Sequence, residues 1–567
     1  MNTDRVSGPR SWRGSHQFPI PAVSLVLAGL LAAPLVATPA RAQDMTSRID
    51  EIFSFATLAT PGCAIGVSQR GNVIVSRAYG LADVERGVPL SAGSIFDIGS
   101  VQKQFVAAAI LLLVEDGHLS LAGDIREYLP ELPDYGHRIT LDHLLTHTGG
   151  LRDWTGLLPL AEEGADVVQL ILRQRGLNFA PGEEWSYSNS GYVLLKEIVA
   201  RASGMSFAEF AQRRLFEPLG MTSSAYVSDI LQGTGDRALA YQKEGTGWKE
   251  HMRLGNERGG GAVISTAGDL LIWNDALTSG RLGAFVTGKL QEPATLNNGR
   301  MLSYARGLMV DDDIPGGPMV WHSGGAAGYG TFLARFADEG LSIAAMCNFE
   351  PVSTTSLAGR VADLFLPPVA PQAQPPGPVA VSGVGVAGRA GLYVEAGTGE
   401  LLRLIVNAGR LGIAGGPPLV PVSADRFRPA RTSLYFLSED EFEVVFRSNE
   451  VLELTSMEGR TTRYQRAQPW TPTAADLQAV DGRYESQELG TVFEILPGAN
   501  GVVMRFERSP AQAQELEPVA PDTYMRGMAT VRFRRDANGH VIGFDYGNPV
   551  VRSIAFARLG DRTHRSP

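Results

Sequence analysis

Asp97-Ile98-Gly99-Ser100-Val101-Gln102-Lys103-Gln104-Phe105 is the stretch on which the reading of this chain turns. Apolar residues continue at Phe105, Ala108, Ala109 and Leu112, a helical spacing, and Gly117 supplies a stop. From Val106 to Val114 the run is apolar on every side, which predicts a buried helix. A serine at the N-terminus of such a helix looks into a site, with Lys103 one turn on and on the same face. Backbone N–H groups and the positive end of the helix dipole gather there, suited to a developing oxyanion. A lysine held in a buried place has a depressed pKa; it can act as a base or keep the serine's partner in its base form. The plainer alternative is that Ser100 only caps the helix.

Working outward, Ala64–Ser68 and Val73–Ala78 flank Gln69-Arg70-Gly71-Asn72 and read as a hairpin. Thr331–Phe336 and Leu341–Met346 flank Ala337-Asp338-Glu339-Gly340 and read as a second. Helical patterns lie between them, notably Val101–Glu115 and Val193–Ala202. Strands at both ends with helices between predict one antiparallel sheet built from the two termini of a mixed α/β region, with the helices as an insert. Cys63 opens the first strand and Cys347 closes the last, and the chain has only these two cysteines. Two thiols are neither a disulfide framework nor a zinc site.

Pro367 to Pro378 holds six prolines and reads as a stiff linker. Beyond it the sequence repeats. Leu419-Val420-Pro421-Val422-Ser423-Ala424-Asp425-Arg426-Phe427 aligns without a gap to Leu516-Glu517-Pro518-Val519-Ala520-Pro521-Asp522-Thr523-Tyr524. Gly391-Leu392-Tyr393 and Gly482-Arg483-Tyr484 open the two copies. Short alternating runs of roughly 85–95 residues each predict two small all-β antiparallel barrels or sandwiches, accessory to the site because neither holds a nucleophile–base pair. A break at Gln468-Pro469-Trp470-Thr471-Pro472 separates them.

At the other end, Arg5, Arg10 and Arg13 precede an apolar stretch from Ala22 to Ala33 and a small-residue exit at Ala40-Arg41-Ala42. That reads as a secretory signal peptide, so the expectation is an exported bacterial protein, periplasmic or secreted, with no integral membrane segment after cleavage. The domain expectation is therefore a signal at 1–42, a catalytic region at 43–366, a linker at 367–381, and β domains at 382–467 and 474–560. The 567 residues carry a net charge of −10 with no Lys/Arg run, which argues against nucleic-acid binding.

Two further motifs bear on Ser100. Tyr187-Ser188-Asn189 follows a Pro181-Gly182 turn and opens a helical window, and Trp321-His322-Ser323-Gly324-Gly325 precedes the last hairpin. Each is weak alone; the three together, in this order, are specific. Rival chemistries lack their signatures. There is no Gly-x-Ser-x-Gly elbow, and His143 and His147 are four apart without the glutamate of a zinc protease.

With Leu144-Leu145-Thr146-His147-Thr148-Gly149-Gly150-Leu151-Arg152-Asp153 added, the catalytic region resembles the penicillin-recognising serine hydrolases: class C β-lactamases, DD-peptidases, D-aminopeptidases and esterases of β-lactamase fold. The two trailing β domains make the whole most similar to the D-aminopeptidases. The resemblance implies a β-lactamase-like α/β (α+β) domain followed by two barrel-like domains. It also implies Ser100 as nucleophile, Lys103 as its partner, and Tyr187 as a general base that later protonates the leaving group. Asn189 would contact the substrate's acyl-side amide, with Ser323 and Gly324 beside it. His322 would stand where class C β-lactamases have lysine, adding positive charge when protonated. Backbone N–H groups of Ser100 and Gly325 would form the oxyanion hole. If the terminal strands are neighbours, as in the resembled fold, Cys63 and Cys347 lie close together; whether they bond stays open. Histidine at 322 argues against an efficient β-lactamase. The Pro521–Met528 segment is short beside the loop that the accessory domain of D-aminopeptidases is thought to send into the site.

The expected function is hydrolysis of amide bonds in small D-amino-acid or peptidoglycan-like peptides through an acyl-enzyme. The alternatives are a carboxylesterase on the same machinery, a weak β-lactamase, and a catalytically silent binding protein. No cofactor or metal is implied, the partner is a small-molecule or peptide substrate, and a homo-oligomer stays open.

Overall fold

The computed structural model describes residues 39–228, 236–252, 261–312, 317–367, 386–395, 400–414, 418–429, 442–456, 460–468, 470–509 and 511–560, with side chains from Asp44 onward. The apolar part of the expected signal and most of the Pro-rich linker lie outside these residues. The helix α1, Pro39–Ile52, includes the expected exit at Ala40–Ala42.

Six antiparallel strands form the main sheet: β1 (Cys63–Gln69), β2 (Asn72–Tyr79), β3 (Met309–Asp311), β4 (Met319–Ala326), β5 (Tyr329–Phe336) and β6 (Leu341–Cys347). Their order is β3-β4-β5-β6-β1-β2, so the two ends of the region meet at the β6–β1 pair. β1 and β6 are buried along almost their whole length, which is why they read as continuous apolar runs rather than alternating ones. Helices α4 (Ala267–Thr278) and α5 (Thr354–Ala362) pack on them. In this register Cys63 stands directly opposite Cys347, and the two are joined by a disulfide with Cα atoms 4.0 Å apart.

The inserted helices include α2 (Lys103–Glu115) and α3 (Asn189–Ser203). α2 is buried from Lys103 through Leu113, as its all-round apolar sequence requires. A 3₁₀ turn, Gly99–Gln102, leads into it, so Ser100 sits on that turn and Lys103 is the first α-helical residue. α3 is capped at its start by Ser188, whose side chain accepts the Gly191 N–H, and at its end by Gly204 in the left-handed region. Among the described residues no helix is long and apolar enough to cross a membrane.

Among the described residues, eight strands between 391 and 466 form a nearly closed barrel, with a bridge between Gly412 and Pro418 linking its two ends. Eight more between 482 and 558 form a closed one. The repeat is visible in side chains. Tyr393 donates to the Arg389 carbonyl and Tyr484 to the Val480 carbonyl, each four residues back. Each ring lies under an arginine from its barrel's last strand, Arg466 or Arg558.

The second barrel is not separate from the catalytic region. Leu157, Leu160, Ala161 and Leu170 of the helical insert share one hydrophobic core with Tyr484, Phe493 and Ile554 of that barrel.

Candidate active site

The 3₁₀ turn carrying Ser100 is pressed against β4. Gly99 has φ +52°, and a Cβ there would stand 2.6 Å from the Gly325 nitrogen. A Cβ on Gly324 would collide with the Ile98 carbonyl. Glycine at both positions is what lets the turn and β4 approach this closely, with Ser100 and Gly325 lining one cavity. Gly325 itself faces open space.

Lys103 Nζ lies 3.2 Å from Ser100 Oγ and donates to Asn189 Oδ1 at 2.8 Å. It also stands over the Tyr187 ring, 4.6 Å from its centroid. Burial lowers the Lys103 pKa from 10.5 to about 7; the Asp153 charge opposes that shift and the Lys196 charge adds to it. A cavity of about 300 Å³ opens above this group, lined by Ser100, Tyr187, Tyr304, His322 and Gly325 among others. Trp185 and Met309 give it an apolar wall.

His322 departs from the expectation that it supplies positive charge. Burial, reinforced by the Lys103 charge, lowers its pKa to about 3, so the ring is neutral at ordinary pH. Its hydrogen bonds agree. His322 Nδ1 faces the Ser323 carbonyl at 2.5 Å and must carry the proton, so Nε2 accepts from the Tyr304 hydroxyl at 3.2 Å. On the far side of Tyr304 is His147 Nε2, 3.0 Å away, while His147 Nδ1 accepts the Ser188 N–H. His147 is therefore the Nε2–H tautomer, held neutral by the same burial. One chain of hydrogen bonds runs from the backbone beside Tyr187, through His147, Tyr304 and His322, to β4.

Tyr304 was missed in the sequence. It stands alone in Tyr304-Ala305-Arg306-Gly307, with no nearby partner to mark it, and only the fold brings it between two histidines. Asp153 closes the Leu144–Asp153 motif, and nothing in the sequence marks what it does there. Its carboxylate accepts the backbone N–H groups of Asn189 and Ser190 and lies 3.4 Å from Asn189 Nδ2. The Asn189 amide is thus engaged at both ends, by Lys103 and by Asp153, rather than directed at the cavity. Ser323 and Gly325 line the cavity. His143 caps a short helix through the Thr140 N–H, which accounts for it without a metal.

Residues 49–364 match the Beta-lactamase family. The chain belongs to that family. Penicillin-binding protein 4* of Bacillus subtilis is 31% identical over 312 residues, covering 50% of this chain and 67% of that protein. A D-aminopeptidase of Cereibacter sphaeroides is 27% identical over 532 residues, covering 88% of this chain and 96% of that protein. Among solved structures, the octameric penicillin-binding protein homologue from Pyrococcus abyssi has a TM-score of 0.51 at 21% identity, over 75% of this chain and 99% of that one. This likeness shows the shared fold. As a Beta-lactamase family member, the chain is a serine hydrolase working through an acyl-enzyme.

Proposed function

We propose that the chain hydrolyses amide bonds of small D-amino-acid derivatives or peptidoglycan-like peptides, with Ser100 as nucleophile. The observation that carries the reading is the 3.2 Å approach of Lys103 Nζ to Ser100 Oγ, with the amine tuned to about 7. Ser100 Oγ attacks the acyl carbon and its proton passes to the neutral Lys103 amine. The oxyanion takes the backbone N–H groups of Ser100 and Gly325. As the C–N bond breaks, the Tyr187 hydroxyl protonates the leaving amine and is reprotonated from Lys103. Water then attacks the ester, its proton returning along the same path. His322 acts as a neutral, fixed wall of the site. Asn189 holds Lys103 in place.

Similarity to a D-aminopeptidase over 88% of the chain supports D-configured amides over β-lactams. Export, with a mature N-terminus near Gln43, belongs to the same reading, and N-terminal sequencing of the exported protein tests it. A panel of D- and L-amino-acid amides, p-nitrophenyl esters and nitrocefin tests the substrate class. The expected order is D-amides and D-peptides first. Esters hydrolysed efficiently with no amide turnover would instead identify a carboxylesterase.

A further inference from the structure

The C-terminal barrel reaches the catalytic lysine through an unbroken series of contacts. Arg152 is buried and pairs with Glu488, from the turn after the barrel's first strand, at 2.8 Å. Its guanidinium also donates to the Arg552 and Ser553 carbonyls, at the start of the barrel's last strand. Next in sequence, the Asp153 N–H donates to the Val550 carbonyl in the barrel's final turn. Asn178 bridges that turn from the other side, donating to the Val550 carbonyl and accepting the Arg552 N–H.

The opposite edge of the 152–154 segment meets α3. The Ser190 hydroxyl donates to the Arg152 carbonyl and accepts the Trp154 N–H. Asp153 takes the Asn189 and Ser190 N–H groups. Because a carboxylate can only accept, it turns the Asn189 amide so that Nδ2 faces Asp153 and Oδ1 faces Lys103. The segment is clamped between the barrel on one side and the start of α3 on the other.

We propose that Glu488 and the Val550–Ser553 turn are positioning elements of the catalytic machinery: they fix Arg152 and Asp153, and through Asp153 the placing of Asn189 and Lys103. The second barrel is then part of the active site's framework rather than an appendage, consistent with its sharing a core with Leu157 and Leu170. The inference rests on Ser100 being the nucleophile.

The test measures the rate at which a fluorophosphonate labels Ser100 in the full chain, alongside kcat and KM on the best substrate of the panel. Glu488→Ala leaves Arg152 as a buried charge without its partner. A slip of Asn189 and Lys103 should slow labelling by roughly tenfold to a hundredfold and lower kcat with KM kept. Glu488 accepts from Arg152 through one oxygen and from the Arg175 N–H through the other, so Glu488→Gln, which keeps one acceptor but not the charge, should label at a rate between those of Glu488→Ala and the wild type. Arg535→Ala breaks a partly exposed ion pair with Asp522 elsewhere in the same barrel and should label at the wild-type rate. If Glu488→Ala does not fold, Asn178→Ala carries the test with the same expectation. Wild-type labelling in the folded Glu488 and Asn178 variants overturns this inference alone. A wild-type chain that does not label overturns the serine reading and this inference with it.

Discussion

The Lys103 amine is the most sensitive point of the mechanism, and its pH behaviour follows from where it lies. At its ordinary 10.5 the amine would be neutral in about one molecule in three thousand at pH 7; lowered to about 7, it is neutral in about half. Burial thus raises the supply of base by roughly a thousandfold at neutrality. Around Lys103 stand Asp153 and Lys196 as charges, the rings of Tyr187 and Tyr192, and the neutral His147 and His322. His322, at about 3, does not titrate between pH 5 and 9. Because the deprotonated amine is the active form, kcat/KM should rise with pH along a limb centred near 7 and level off above it. Lys103→Arg keeps a charge that cannot be lost and should cost roughly 10²–10⁴-fold across the whole range. The assay is kcat/KM from pH 5 to 9 on an uncharged D-amino-acid derivative blocked at its amine, so that the substrate does not titrate. A profile flat from 6 to 8, one that falls as pH rises, or an active Lys103→Arg would refute the argument.

Other expectations follow from the same contacts. Tyr304→Phe removes the donor to His322 and the acceptor for His147, so it should destabilise the fold by roughly 1–3 kcal/mol, read as a lower Tm, and reduce kcat. His322→Lys sets a second amine against Lys103. Any charge it carries lowers the Lys103 pKa further, so the pH limb should move below 7 with a loss of rate; an unchanged limb would contradict the neutral role given to His322. Reducing the Cys63–Cys347 bond, which closes a separation of 284 residues, should cost up to about 5 kcal/mol of stability while activity at 25 °C persists. Since the proposed steps use only side chains and backbone, hydrolysis should withstand EDTA; activity lost to chelation and restored by zinc would contradict that.

The parts of this molecule legible in the sequence are those whose physics is local. The burial of α2 follows from an apolar run with no polar face, and the terminal sheet from two hairpins with clear turns. The repeated Gly-x-Tyr starts announced two related barrels because each copy uses its tyrosine the same way. What stayed hidden depends on contacts between distant segments. The neutrality of His322 is set by burial and by Lys103, which a motif cannot report. Tyr304 gains meaning only between His147 and His322. Asp153 closes the Leu144–Asp153 motif, yet its task is defined by α3 and by Val550, roughly 400 residues later in the chain. The shared core of the insert and second barrel was hidden for the same reason, since Leu157 and Leu170 look like ordinary helix residues until the barrel covers them.

Intact-protein mass spectrometry after fluorophosphonate treatment, followed by peptide mapping, tests the central claim most directly. The account predicts one phosphonyl adduct per chain, carried by the peptide containing Ser100 and absent in Ser100→Ala. No adduct on the active wild-type protein, or an adduct of equal yield in Ser100→Ala, would contradict it.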